Sequence, residues 1–119
     1  MFAYFAMCMA QMELYRVNGD PALLQQTEQA IDFFLAQDGL TITGSAGQRE
    51  IWTDDQDGEG DLGETCATAY QLRAYESLLR LSGKSVYGDL IERTALNGLF
   101  GAQSPDGNRL RYYLSLIHI

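Results

Sequence analysis

Apolar residues recur at three- and four-residue steps along most of the chain, and the runs are broken by glycine, proline and polar clusters. The first run, Met1 to Met12, is almost wholly apolar and passes without interruption into Glu13-Leu14-Tyr15-Arg16-Val17-Asn18-Gly19. This predicts one helix with Gly19 as its stop. Asp20-Pro21 then reads as an N-cap followed by proline at the first helical position, and Leu23, Leu24, Thr27, Ala30, Ile31, Phe34 and Leu35 mark one face of a second helix ending at Asp38-Gly39. Alternation over Leu40-Thr41-Ile42-Thr43 predicts a short strand. The glycine-rich polar stretch from Gly44 to Gly63 is too long for a mere connection. A third helix is predicted from Glu64 to Leu81, stopped by Ser82-Gly83, and a fourth from Ser85 to Ala102. The turn Ser104-Pro105-Asp106-Gly107 and a strand from Arg109 to Leu114 close the pattern.

The first and third helices end alike. Leu14-Tyr15-Arg16-Val17-Asn18-Gly19 and Leu78-Leu79-Arg80-Leu81-Ser82-Gly83 lie 64 positions apart, and the same offset pairs Glu28 with Glu92. The unit is helix, tight glycine turn, helix, then strand or loop. A period longer than that of common solenoids, carrying an extra strand and loop, argues for a mainly α fold of the α/α-toroid kind. Two helical hairpins with short strands and a long acidic loop cannot close such a ring. The expectation from the repeat is therefore a partial α/α-toroid, residues 1–113 being a fragment of it. The last six residues, Leu114-Ser115-Leu116-Ile117-His118-Ile119, are what CTG TCT CTT ATA CAC ATC encodes, a string like a transposon end used in library preparation. Residues 114–119 are accordingly expected to be an adaptor-derived tail, the competing reading being an ordinary apolar strand. On the first reading His118, the sole histidine, carries no function.

Composition narrows the partners. The chain has 16 acidic and 8 basic residues and a formal net charge of −8, which counts against nucleic acid or anionic membrane as ligand, since both reward clustered lysine and arginine. The N-terminal run has the apolar length of a signal peptide without its basic n-region, and it becomes charged too soon to cross a bilayer. A buried helix is the favoured reading. The two cysteines, Cys8 and Cys66, make no disulfide scaffold.

Six acidic residues, Asp54, Asp55, Asp57, Glu59, Asp61 and Glu64, crowd the stretch from Thr53 to Cys66. A solvated surface loop accounts for such a stretch, and calcium does not. Asp55, Asp57, Glu59, Gly60 and Asp61 imitate an EF-hand start, but Cys66 stands where the bidentate glutamate belongs. A third reading takes Glu64 and Cys66 as half of a metal site at a helix start, where side chains two apart can converge. There the helix dipole lowers a thiol's pKa, and carboxylate plus thiolate suits zinc. A small thiol packed at a helix start competes with that reading.

Gly63-Glu64-Thr65-Cys66-Ala67, the upstream Leu40-Thr41-Ile42-Thr43-Gly44-Ser45 leading to Glu50, and the downstream runs Tyr87 to Arg93, Asn97 to Phe100, Ser104 to Gly107 and Tyr112-Tyr113 resemble glycoside hydrolase family 127, the β-L-arabinofuranosidase-like enzymes. The resemblance covers nearly all of the chain up to Leu114. It implies that the partial toroid is of the (α/α)6 form and belongs to a catalytic domain, followed by β-sandwich material, with a carbohydrate substrate and zinc held by one glutamate and three cysteines, one of them the nucleophile. A separate glutamate is the acid/base. Carried onto this chain, Glu64 and Cys66 match the Glu-x-Cys zinc ligands and Glu50 matches the acid/base. The other two cysteines form an adjacent pair downstream in the family; this sequence has no such pair, and Cys8 matches no ligand position.

Retaining glycosidases place a nucleophile on one side of the anomeric carbon and an acid/base on the other. A zinc-bound thiolate stays ionised at neutral pH, and Glu50 would first protonate the departing oxygen and then deprotonate water. Gly47-Gln48-Arg49 precedes Glu50, where the family often has histidine, and Arg49 would lower the pKa of a glutamate it pairs with. Trp52 and Tyr70 offer aromatic faces to a sugar, with core packing the other role for Tyr70. The resemblance further implies that the fragment alone is inactive, because the nucleophile is missing. Two alternatives stand beside it: a non-catalytic helical-hairpin interaction module, or another α/α-toroid carbohydrate-active enzyme using Asp54 or Asp55 as acid.

Overall fold

The computed structural model describes residues 1–37, 39–48 and 63–114. These form two helical hairpins. Helix α1 (Phe2–Asn18) and helix α2 (Pro21–Ala36) make the first, and helix α3 (Thr65–Ser82) and helix α4 (Ser85–Arg93) the second. The protein is mainly α, as the apolar periodicity predicts.

Each hairpin turns on a left-handed glycine. Gly19 and Gly83 both have φ near +70°, and their N–H groups donate to Tyr15 O and Leu79 O, two carbonyls again 64 positions apart. Glycine suits this cap because it carries no Cβ to strain at positive φ. At the start of α2, the Asp20 carboxylate accepts from the Ala22 N–H and Pro21 occupies the first turn, as its sequence implies.

The core lies between α1, α2 and α3. Phe5, Cys8 and Met12 of α1, Ile31 and Phe34 of α2, and Ala67, Ala74, Tyr75 and Leu78 of α3 are buried in one cluster. Phe5 sits at its centre, edge-on to Phe34 at 5.1 Å and to Tyr75 at 6.4 Å. Lys84 at the start of α4 reaches Glu28 of α2 at 2.8 Å and ties the hairpins together at the rim.

Three predicted elements differ from the sequence reading: the strand at Leu40 to Thr43, the fourth helix and the last strand. Leu40 to Thr43 is a tight turn rather than a strand: Gly44 N–H donates to Thr41 O, and only an isolated bridge pairs Leu40 with Ala46. The hydroxyls of Thr41, Thr43 and Ser45 hydrogen-bond one another at 2.9 and 3.0 Å, a local network that competes with a ladder. The fourth helix does not run to Ala102 in one form. It is α-helical to Arg93, widens to a π-helix over Thr94–Leu99, and tightens to a 3-10 turn over Phe100–Ala102. The widening coincides with a close approach: a Cβ on Gly98 would stand 2.4 Å from the Ser45 Oγ.

A small antiparallel pair joins the ends of the second half. Strand β1 (Gly63–Glu64) lies beside strand β2 (Tyr113–Leu114) in the register Gly63 to Leu114 and Glu64 to Tyr113. Only these last two residues of the predicted 109–114 strand pair in it; Leu110 makes an isolated bridge to Gln103. Among the described residues, no helix is long and apolar enough to cross a membrane.

Candidate functional site

The start of α3 is gripped from both sides. On one side Gly63 bridges Gly47 and the Glu64 N–H donates to Ala46 O at 3.3 Å; on the other, the Thr65 N–H donates to Tyr112 O at 2.8 Å and the Thr65 hydroxyl to Arg111 O. These bonds hold Glu64 in extended backbone (φ −118°, ψ 119°) directly before the first helical turn. The change from extended to helical geometry lets side chains two positions apart meet.

Glu64 and Cys66 do meet. The Cys66 thiol donates to Glu64 Oε1 at 3.1 Å, and the Tyr112 hydroxyl lies 2.9 Å from the same oxygen and 3.1 Å from Cys66 Sγ. The three groups form a closed triangle of carboxylate, sulfur and phenol. The sequence motif contains Tyr112 only as part of the Tyr112-Tyr113 run, with no site role attached to it. Its place follows from the β1–β2 register, which crosses a sequence separation of 48. A signal did exist: a strand after the Ser104 to Gly107 turn has to pair somewhere, and an aromatic hydroxyl on it is a donor seeking an acceptor.

The electrostatics differ from the helix-dipole expectation. Burial pushes the Cys66 thiol above its ordinary range; the Tyr112 hydrogen bond pulls it down, and the neighbouring Glu64 carboxylate adds to the upward push. Burial and the neighbouring carboxylate thus both favour the protonated thiol. Tyr112 is raised as well, first because it donates to Cys66 and second because it donates to Glu64.

Beside the triangle lies a largely apolar, open pocket of about 330 Å³ lined by Thr65, Cys66, Ala69, Leu99, Leu110, Arg111 and Tyr112. Its size lies at the lower end for small-ligand sites. Tyr70 is elsewhere engaged: its ring packs on Phe2 at 4.3 Å and the Arg73 guanidinium lies 5.5 Å from its centre. Glu50, Trp52, Asp54, Asp55 and His118 lie outside the described residues.

The donor set can be tested against zinc. Two ligands of one tetrahedral zinc, oxygen at about 2.0 Å and sulfur at about 2.3 Å, stand about 3.5 Å apart, close to the 3.1 Å found between Glu64 Oε1 and Cys66 Sγ. Chemistry and spacing both fit half of a zinc site. Among the described residues no group of three His, Cys, Asp or Glu side chains comes together, so further ligands would have to come from elsewhere.

Over residues 4–118 the chain matches the family model for the β-L-arabinofuranosidase catalytic domain of glycoside hydrolase family 127. No curated protein matches it. Among solved structures, it is similar to a β-L-arabinofuranosidase of that family from Geobacillus stearothermophilus, with a TM-score of 0.70 and 25% identity. The match covers 95% of this chain and 18% of that protein, so the chain spans under a fifth of its relative's length.

Proposed function

Because the chain belongs to glycoside hydrolase family 127, the β-L-arabinofuranosidase-like enzymes, we propose that it contributes half of a zinc–thiolate active site to a retaining glycosidase. Arabinofuranosides are the first substrates to test. The observation that carries the reading is the convergence of Glu64 Oε1 and Cys66 Sγ at a helix start pinned on both sides by backbone pairing. Glu64 and Cys66 would hold the metal. When bound, zinc supplies positive charge that keeps coordinating sulfur ionised at neutral pH. This offsets the upward push that burial and Glu64 give the free thiol.

The remaining roles belong to side chains. Glu50 is the acid/base, giving a proton to the departing glycosidic oxygen and then taking one from the incoming water. Tyr112 steadies the ligand pair, since its hydroxyl reaches both at hydrogen-bond distance and β2 fixes its position. The largely apolar pocket beside Cys66 excludes water from one flank of the sugar. The nucleophilic cysteine is supplied by an adjacent cysteine pair outside these residues, and α1 to α4 form two units of a helical toroid.

The test is made on the full-length protein, with a chromogenic β-L-arabinofuranoside and metal analysis. Glu50→Gln should lower kcat on the order of 10²–10⁴-fold with zinc content unchanged. Cys66→Ser and Glu64→Gln should each lower bound zinc together with activity. Turnover by the 119-residue chain alone, or full zinc occupancy in Cys66→Ser, would overturn the assignment.

A further inference from the structure

A π-helical turn is rare and often sits at a functional site, and the one over Thr94–Leu99 interrupts a helix that the apolar pattern would carry straight on. Thr94 opens it, Gly98 lies four positions later, and both meet the same turn. The Thr94 hydroxyl is fully buried and donates to Gly44 O at 3.0 Å. A Cβ on Gly98 would stand 2.4 Å from Ser45 Oγ and 3.5 Å from Thr68 Cγ2. The residue after Gly98, Leu99, lines the pocket beside Cys66.

That turn supports the start of α3. Gly44 has φ +83°, a conformation that favours glycine, and its carbonyl accepts a second buried donor, Gln71 Nε2, at 2.8 Å. Two residues on, Ala46 O accepts from the Glu64 N–H, and Gly47 bridges Gly63. Ser45 is fully buried between these contacts, and a Cβ on Gly63 would lie 3.3 Å from its own Cβ. Ser45 thus has both β1 and the π-helical stretch against it, and each meets it with a glycine. Close-packed interiors transmit displacement. A methyl on Gly98 has to move Ser45, which packs on Gly63, the residue directly before Glu64.

We propose that Thr94 and Gly98 are positioning residues for the Glu64–Cys66 pair. Thr94 anchors the Gly44 carbonyl and Gly98 leaves room for Ser45; together they seat the turn that holds β1, and β1 sets the Glu64 carboxylate 3.1 Å from Cys66 Sγ. The proposal rests on the reading of Glu64 and Cys66 as zinc ligands. It adds that the geometry of the pair is set from the break in the fourth helix, by residues that are not ligands themselves.

The test is the zinc dissociation constant of the full-length protein, measured by competition with a chromophoric chelator where circular dichroism shows each variant folded. Thr94→Val keeps the side-chain shape without the hydroxyl and should weaken zinc binding about tenfold, whereas Thr94→Ser should stay within about twofold of the parent. Gly98→Ala should weaken it by a similar factor, and Ser45→Ala in the same chain, by removing the crowded oxygen, should restore most of the affinity. Should Thr94→Val not fold, the Gly98 and Ser45 variants decide alone. Parent affinity in Thr94→Val and Gly98→Ala, with zinc lost in Cys66→Ser, would overturn the positioning role and leave the ligand assignment standing. Full zinc occupancy in Cys66→Ser would overturn that assignment and this inference with it. A loss in Gly98→Ala that Ser45→Ala does not restore would also overturn the proposal.

Discussion

The two hairpins share a plan and differ in how their first helices begin. Both turn on a glycine at φ near +70° that donates to the carbonyl four residues back. Yet where the second hairpin carries Cys66, the repeat places Phe2 in the first, and Phe2 stacks edge-on against Tyr70. Glu64 and Cys66 instead meet each other and Tyr112. The first hairpin supplies aromatic bulk to the core, whereas the second supplies both core and a polar triangle. The difference teaches that the repeat provides a frame, and that the chemistry depends on the strand pairs flanking one helix start.

If that division holds, the largest effect on folding should come from the first hairpin. Phe5→Ala removes the ring that touches both Phe34 and Tyr75 from a fully buried position, and urea unfolding should show a loss of about 3–5 kcal/mol. A loss below about 1 kcal/mol would mean that α1 is not part of the cooperative core. Alkali should act on the same region next. Burial raises Cys8 from 9.0 to about 11 and Tyr4 from 10.0 to about 12. These groups favour the protonated form in the folded state, so their contribution is fully present below pH 9 and is lost as pH rises through 11 and 12. The melting temperature should therefore fall across that window, and Cys8→Ala should flatten its lower part.

How far the sequence revealed this division depends on the distance over which each feature is determined. Helix α2 was legible to its first residue, because Asp20 and Pro21 act on atoms two positions away. The turn at Leu40 to Thr43 was not. Its period-two alternation is real, but it is the threonines that are buried and Ile42 that is 63% exposed. The reason is tertiary: the carbonyl of Gly44, next along the chain, accepts from Gln71 at 2.8 Å and from Thr94 at 3.0 Å, partners 27 and 50 residues away. Thr94 opens the π-helical stretch, so the same contact site accompanies the break in the fourth helix. At the site, Glu64 and Cys66 were legible as a pair because helix starts bring such spacings together. Tyr112 was missed as a site residue because only the β1–β2 register brings it there. The burial that pushes the Cys66 thiol up is invisible in the sequence, since it comes from residues distant along the chain.

The shared part of the plan gives a smaller and symmetric effect. A Cβ at Gly19 or Gly83 would meet nothing within 4 Å, so replacing either with alanine costs only the strain of positive φ. Gly19→Ala and Gly83→Ala should each lower stability by about 1 kcal/mol and by nearly equal amounts. A difference larger than about 0.5 kcal/mol would show that the two caps are not equivalent, and would weaken the repeat.

The smallest effect on folding should fall on the triangle itself. Tyr112 is 53% exposed, and Tyr112→Phe keeps the ring against Tyr113 while removing the hydroxyl that reaches Glu64 and Cys66. Water can replace an exposed donor, so the unfolding free energy should stay within about 0.5 kcal/mol of the parent value. The Cys66 thiol should nevertheless respond. With the phenol's downward pull gone, burial and Glu64 remain, and the thiol's pKa in the metal-free chain should move further up. Thiolate absorbance across an alkaline titration reads this shift. An unchanged titration would show that Tyr112 does not share the sulfur, and a large stability loss would return the triangle to the fold rather than to the site.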